Sequence, residues 1–192
     1  MTSFQLAVNA KEPAIESLPL KLLQGAYSGN GRANPKAGCS FVYRNSILEH
    51  QIRSYTNFAL GKEGPTGIKH PHTSNRAELR AVIAATQSQY WVAEGCRCLV
   101  IATDLEYVVK GMTQWAKGWV RKDWKTKVGA PVKNQDLWRC LLGEVERWDE
   151  EGMRIQFYRI PRGLNTKADR YAKEATSKRV SQEFRGPFGI LV

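Results

Sequence analysis

The sequence predicts an α/β domain: one mixed five-stranded sheet with helices on both faces. Three observations carry this. Three strand-like segments come first, and helices and strands alternate after them. The later segments repeat apolar residues at helical spacing. Between them lies Leu99-Val100-Ile101-Ala102, short and wholly apolar, the pattern of a buried parallel strand. At 192 residues and 42% hydrophobic the chain suits one domain with a real core.

Residues 1–17 show no period and read as an irregular lead-in; the domain is expected over 18–180. Its first strand lies around Leu18 to Leu23, and Gly25-Ala26-Tyr27-Ser28-Gly29-Asn30-Gly31 is expected to reverse the chain. Cys39 to Arg44 and Gln51 to Leu60 are the second and third strands, rich in aromatic and β-branched residues. Gly61 to His72 holds three Gly and two Pro and reads as a loop. Thr73 or Ser74 then caps a helix with Leu79, Val82, Ile83 and Thr86 on one side. After the apolar strand, Val108, Met112, Trp115 and Trp119 form the stripe of a second helix. Leu137, Leu141, Val145 and Trp148 mark a third. Met153 to Ile160 is the last strand, Pro161 to Asn165 a connection, and Thr166 to about Arg179 the last helix. Residues 181–192 read as a loosely held tail.

The chain carries 29 basic and 18 acidic residues, a formal charge of +11. Such a balance points first to a polyanion, nucleic acid or an acidic membrane surface, with a merely soluble basic protein as the alternative. No apolar run reaches the ~18 residues that span a bilayer. The first nineteen residues hold Lys11, Glu12 and Glu16 and no Arg, unlike a secretory signal or an Arg-rich transit peptide. The expectation is a monomer of the cytoplasm or nucleus, with no membrane partner. Cys39, Cys96, Cys98 and Cys140 form no C-x-x-C pair and read as buried reduced thiols. His70 and His72, flanking Pro71 with no third ligand near, read as solvated.

Three acids stand out. Glu78 lies in the turn that follows Asn75-Arg76. Asp104 follows the apolar strand directly, at its carboxyl end, where open α/β sheets bind ligands. Asp169 lies in the first turn of the last helix. If the fold brings them together they would repel unless a cation held them, and Mg²⁺, hard and oxygen-seeking, suits such a site. Taken singly, Asp169 reads equally well as a charge favoured at a helix N-terminus and Glu78 as a solvated helix residue.

These acids sit in recognisable motifs: Asn75-Arg76-Ala77-Glu78-Leu79, Ala102-Thr103-Asp104-Leu105-Glu106-Tyr107-Val108 and Asn165-Thr166-Lys167-Ala168-Asp169. In order, they resemble the second, third and fourth acidic motifs of type 1 ribonuclease H. Thr113-Gln114-Trp115, Trp119, Trp124-Lys125-Thr126 and Pro131-Val132-Lys133-Asn134-Gln135-Asp136-Leu137-Trp138 resemble the family's basic handle. The likeness covers roughly Leu18 to Lys178 and implies the RNase H-like fold. It also implies two Mg²⁺ (or Mn²⁺) ions flanking the scissile phosphate of an RNA strand paired to DNA, with Glu78, Asp104 and Asp169 as catalytic residues and metal ligands.

The family's first acid is missing. In Leu23-Gln24-Gly25-Ala26-Tyr27, Gln24 stands where the resemblance calls for an Asp. Gln is neutral, one methylene longer and offers one good metal-binding oxygen. A site so changed is expected to hold one ion at most. The link Ile160-Pro161-Arg162-Gly163-Leu164-Asn165 also lacks the His that many members carry there.

From Lys110 to Lys133 there are seven basic residues and one acid, Asp123. Lys122, Lys125 and Lys127 are expected to meet phosphates. Trp115 and Trp119 read as core, and Trp124, between charged neighbours, as a nucleic-acid contact. Asn34, Asn75 and Asn134 resemble the family's contacts to a minor groove lined by 2′-hydroxyls. The expected partner is RNA:DNA hybrid or double-stranded RNA, bound with RNA cleavage weak or lost. The alternative is an active hybrid endoribonuclease using two divalent ions. An integrase-like transferase on the same fold fits the handle and the Glu78 motif less well.

Overall fold

The computed structural model describes residues 20–28, 36–44 and 53–186, with side chains over 36–43 and 55–186. The lead-in and the Gly29-Asn30-Gly31 turn lie outside these residues. Five strands form one sheet in the order β3-β2-β1-β4-β5: β1 (Leu20–Ser28), β2 (Lys36–Arg44), β3 (Arg53–Ala59), β4 (Cys98–Thr103) and β5 (Arg154–Arg159). β1 pairs antiparallel with β2, and β2 with β3; β1 pairs parallel with β4, and β4 with β5. The predicted mixed sheet is present. β1 is longer than expected, because Gly25, Ala26 and Tyr27 continue the ladder opposite Cys39, Gly38 and Ala37 instead of turning.

Strand alternation on β2 divides the two faces. Phe41 and Cys39 are fully buried toward α1 (Ser74–Thr86), Phe41 in a core with Leu79, Val82 and Ile83, Cys39 beside Ala77 and Ala81. On the other face Ser40 Oγ donates to the Ala168 carbonyl of α5 (Thr166–Ala175) at 2.6 Å. A Cβ on Gly38 would lie 2.0 Å from the Ala172 carbonyl oxygen, so only glycine lets α5 approach this closely. Helices thus cover both faces. Thr73 caps α1 as expected, its hydroxyl accepting from the Arg76 N–H at 3.2 Å.

After β4 the chain runs through α2 (Glu106–Lys110), a π-helical turn (Gly111–Trp115) and α3 (Ala116–Arg121). The π turn adds a residue to the helical period. The stripe therefore passes from Val108 and Met112, both fully buried, to Ala116 rather than Trp115, which is 37% exposed. Trp115 was expected in the core; the shifted phase turns it out. Gly111 gives the turn its room, since a Cβ there would meet the Trp138 ring at 2.1 Å. α4 (Gln135–Glu150) follows, and its Trp138 and Trp148 are fully buried.

The described part of the predicted loose tail, 181–186, is held. The Lys62 and Glu63 N–H groups donate to the Ser181 and Gln182 carbonyls at 3.0 and 3.1 Å, and Phe184 packs against the core. These contacts extend the β3–α1 loop with a neighbouring strap. All four cysteines are free thiols. Burial pushes Cys39 up to about 12 and Cys140 to about 11, so neither is a thiolate near neutrality. Among the described residues no helix is long and apolar enough to cross a membrane.

Candidate functional site

The carboxyl end of β4 organises the first half of the site. The parallel ladder pairs Leu22 of β1 with Ala102 of β4. Gln24 lies two residues beyond Leu22 on β1, and Asp104 two residues beyond Ala102, just past the end of β4. Across β1's other edge Gln24 pairs with Ser40. Gln24 therefore stands beside β2, the strand whose Ser40 holds α5.

Glu78 sits one turn into α1 and is 2% exposed, which removes the reading of a solvated helix residue. The buried Thr103 hydroxyl donates toward Glu78 Oε2 at 3.5 Å and accepts from the Leu105 N–H at 3.2 Å, tying Glu78 to the end of β4. Asp104 is half-buried and its Oδ1 accepts from Asn165 Nδ2 at 2.8 Å. Asn165, 1% exposed, also accepts the Asp169 N–H on its carbonyl at 3.0 Å, so one residue binds Asp104 to the start of α5. Asp169 Oδ2 pairs with Lys173 Nζ at 2.5 Å, four residues along the helix.

Oxygen donors of this kind suit Mg²⁺ chemically. Among the described residues, however, no three His, Cys, Asp or Glu side chains gather into a group able to hold a metal ion. Glu78 is held by Thr103, Asp104 by Asn165 and Asp169 by Lys173. Thr103 and Asn165 are the residues that sequence reasoning left out. Both stood inside the quoted motifs, but neither is acidic, and only the structure shows them linking the acids.

The second half of the site is the handle. Lys122, Lys125 and Lys127 are all exposed, as expected of phosphate contacts. A backbone bridge between Lys125 and Pro131, and the Thr126 N–H to Ala130 carbonyl bond at 2.8 Å, close the loop that presents them.

Trp124, expected to meet nucleic acid, is buried. It is 6% exposed and lies 6.4 Å from Trp119, with the Arg139 guanidinium over its ring at 4.9 Å. Asp123 and Trp124 both hold positive φ, 48° and 58°, and this left-handed pair folds the indole back under the loop. The exposed aromatic of this region is Trp115, edge-on to Tyr107 at 6.2 Å.

Asn134 joins the handle to the body. Its Nδ2 donates to the Tyr107 hydroxyl at 3.3 Å, and its Oδ1 accepts from Arg76 Nη1 at 3.4 Å. Arg76 also makes a two-pronged pair with Asp136, at 2.9 and 2.7 Å. Burial acts to raise the Asp136 carboxyl, but the Arg76 hydrogen bonds and charge outweigh it and hold the pKa below the usual carboxylate range. His70, expected in solvent, instead lies half-buried 3.4 Å from the same carboxylate. His72 is half-buried too, and burial lowers its pKa. Asn75, beside Arg76 in the first turn of α1, is half-buried. Asn34 lies outside the described residues.

The family model for RNase H matches residues 23–177. The ribonuclease H of Tolumonas auensis is 42% identical over 118 residues, covering 53% of this chain and 74% of that protein. Among solved structures, LC9-RNase H1, a type 1 RNase H with the type 2 active-site motif, superposes with a TM-score of 0.56 at 26% identity, covering 82% of this chain and 69% of that one. The foamy viral protease-reverse transcriptase in complex with RNA/DNA hybrid shares the fold at a TM-score of 0.67 and 15% identity, over 92% of this chain and 22% of that one. The β4-end acids, the Asn165 link and the Arg76-anchored handle accordingly lie inside a matched segment of this length, and the chain belongs to the RNase H family.

Proposed function

We propose that this chain recognises RNA:DNA hybrid, or double-stranded RNA, and cuts the RNA strand weakly or not at all. The observation that carries this is Gln24, a neutral residue on β1 two residues past the Leu22–Ala102 pairing, where the resemblance calls for the family's first carboxylate. Two dications around one phosphate need that charge. In this reading Glu78, Asp104 and Asp169 are what remains of the metal-binding set, and a bound Mg²⁺ or Mn²⁺ would supply charge neutralisation at a phosphate. The chain's own residues do the rest. Lys122, Lys125 and Lys127 hold the duplex by its backbone. Asn75 and Asn134, with Asn34, read the minor groove, and the Arg76–Asp136 pair keeps Asn134 in place. The partner class is supported by the family match and by the hybrid bound to the foamy viral protein.

Hybrid is expected to outcompete double-stranded DNA of the same sequence, since only the hybrid offers 2′-hydroxyls and an A-like minor groove. A competition titration with the two duplexes tests it, and equal affinities would remove the assigned role of the asparagines.

A further inference from the structure

On the flank of α1 away from Glu78 lies a cleft of about 210 Å³ between β3, α1 and the strap at 181–186. Arg80 lines it and is 5% exposed. Its guanidinium is stacked against Phe58 at 5.0 Å and Phe184 at 4.4 Å, and Nη2 donates to the Arg185 carbonyl. Nη1 has no hydrogen-bond partner. Among the described residues no carboxylate pairs with this arginine. The titratable groups acting on it are the thiols Cys39 and Cys140, and burial lowers its pKa.

A buried cation with an open donor and no counter-charge is costly to keep. The surroundings add charge of the same sign. Arg76, Lys178, Arg179 and Arg185 also line the cleft, against Glu63 and Glu183, and Arg185 already holds Glu183 at 2.7 Å. Two aromatic faces fix the plane of the guanidinium and leave Nη1 on its edge for an anionic oxygen.

We infer that this cleft is a binding site for a phosphate monoester dianion, with Arg80 Nη1 as its inner donor and Arg179 at its mouth. The site is independent of the hybrid-binding reading. Nη1 is enclosed by the strap, and Arg80 and Glu78 leave α1 in different directions, so a small free phosphate fits better than the backbone of a duplex. The strap already covers the guanidinium through the Phe184 ring and the Arg185 carbonyl.

Inorganic phosphate is the probe, titrated against chloride at matched ionic strength. In ¹⁵N-labelled wild-type protein the Arg80 guanidinium resonance is expected to shift saturably with phosphate and not with chloride. Thermal melting should rise along the same curve, and Arg80→Met should weaken the apparent affinity by about tenfold or more. Phosphate also stabilises proteins generally by exclusion from their surface. A melting rise that never saturates, or that Arg80→Met retains in full, would therefore overturn the inference. So would an Arg80 resonance indifferent to phosphate, a result that does not depend on how the variant folds. The salt dependence of hybrid binding should be the same for wild type and Arg80→Met. A slope lower by about one unit in the variant would instead mean a duplex phosphate contact and overturn the free-ligand assignment.

Discussion

The handle and the end of β4 answer to different tolerances. In the handle, Lys122, Lys125 and Lys127 need only project into solvent from a loop closed by the Lys125–Pro131 bridge. A phosphate feels a lysine over roughly 8–10 Å, so several ångströms of displacement cost little. At the end of β4 the acids are fixed one by one: Glu78 by Thr103, Asp104 by Asn165, Asp169 by Lys173. Chemistry at a phosphate tolerates misplacement of about 1 Å or less, and every charge in the first layer counts. One neutral residue on β1 can therefore silence the second region without touching the first. The proposed function, binding with little or no cutting, rests on this asymmetry.

If the handle's surface charge is separable from its anchoring core, its buried and exposed residues should fail in different ways. Trp124→Ala empties a packed site and should cost about 3–5 kcal/mol of stability, read from denaturant melts. Trp115→Ala, at the exposed face, should cost about 1 kcal/mol or less. Equal costs would put Trp124 back at the surface.

The junction between the two regions should be sensitive to acid. Because the folded pKa of Asp136 is depressed, its stabilisation is present above the unfolded value of about 3.9 and is lost as pH falls through the folded value. Asp136→Asn should cost about 3 kcal/mol at neutral pH by leaving Arg76 buried without its partner. The gap between wild type and variant should narrow below about pH 4. A constant gap across pH would mean that Asp136 acts through packing alone.

The smallest structural disturbance is the most informative for binding. Replacing Lys122, Lys125 and Lys127 together by Ala should leave melting nearly unchanged. It should lower the log–log salt slope of hybrid binding by about two to three units. An unchanged slope would show that another surface docks the duplex.

The five strands and the main helices could be read in advance because each has a period or a compact apolar run. The path of the chain inside the handle could not. The run Lys122-Asp123-Trp124-Lys125 looks solvated by composition, yet two positive-φ residues bury the ring. Similarly, the π turn at Gly111–Trp115 shifts the helical phase by one residue, too little to register in a pattern only a few turns long. The acids were found by their motifs, and Gln24 by its contrast with them. Their partners Thr103 and Asn165 escaped notice because small polar residues at strand and helix ends usually serve as caps. Arg80 was overlooked for a related reason: an arginine between Leu79 and Val82 reads as a solvated position, and only the strap that covers it changes that.

The central claim is that one missing carboxylate separates binding from cleavage. Its most direct measurement is the rate at which the unmodified chain and Gln24→Asp cut the RNA strand of a labelled hybrid, with Mg²⁺ and then with Mn²⁺. Asp104→Asn in the Gln24→Asp background serves as the control for a contaminating nuclease. The unmodified chain should cut slowly or not at all. The reversion should raise the rate at least tenfold, about 1.4 kcal/mol of barrier, and the control should abolish that gain. Vigorous cleavage by the unmodified chain would contradict the claim, because Gln24 would then be no obstacle to the chemistry.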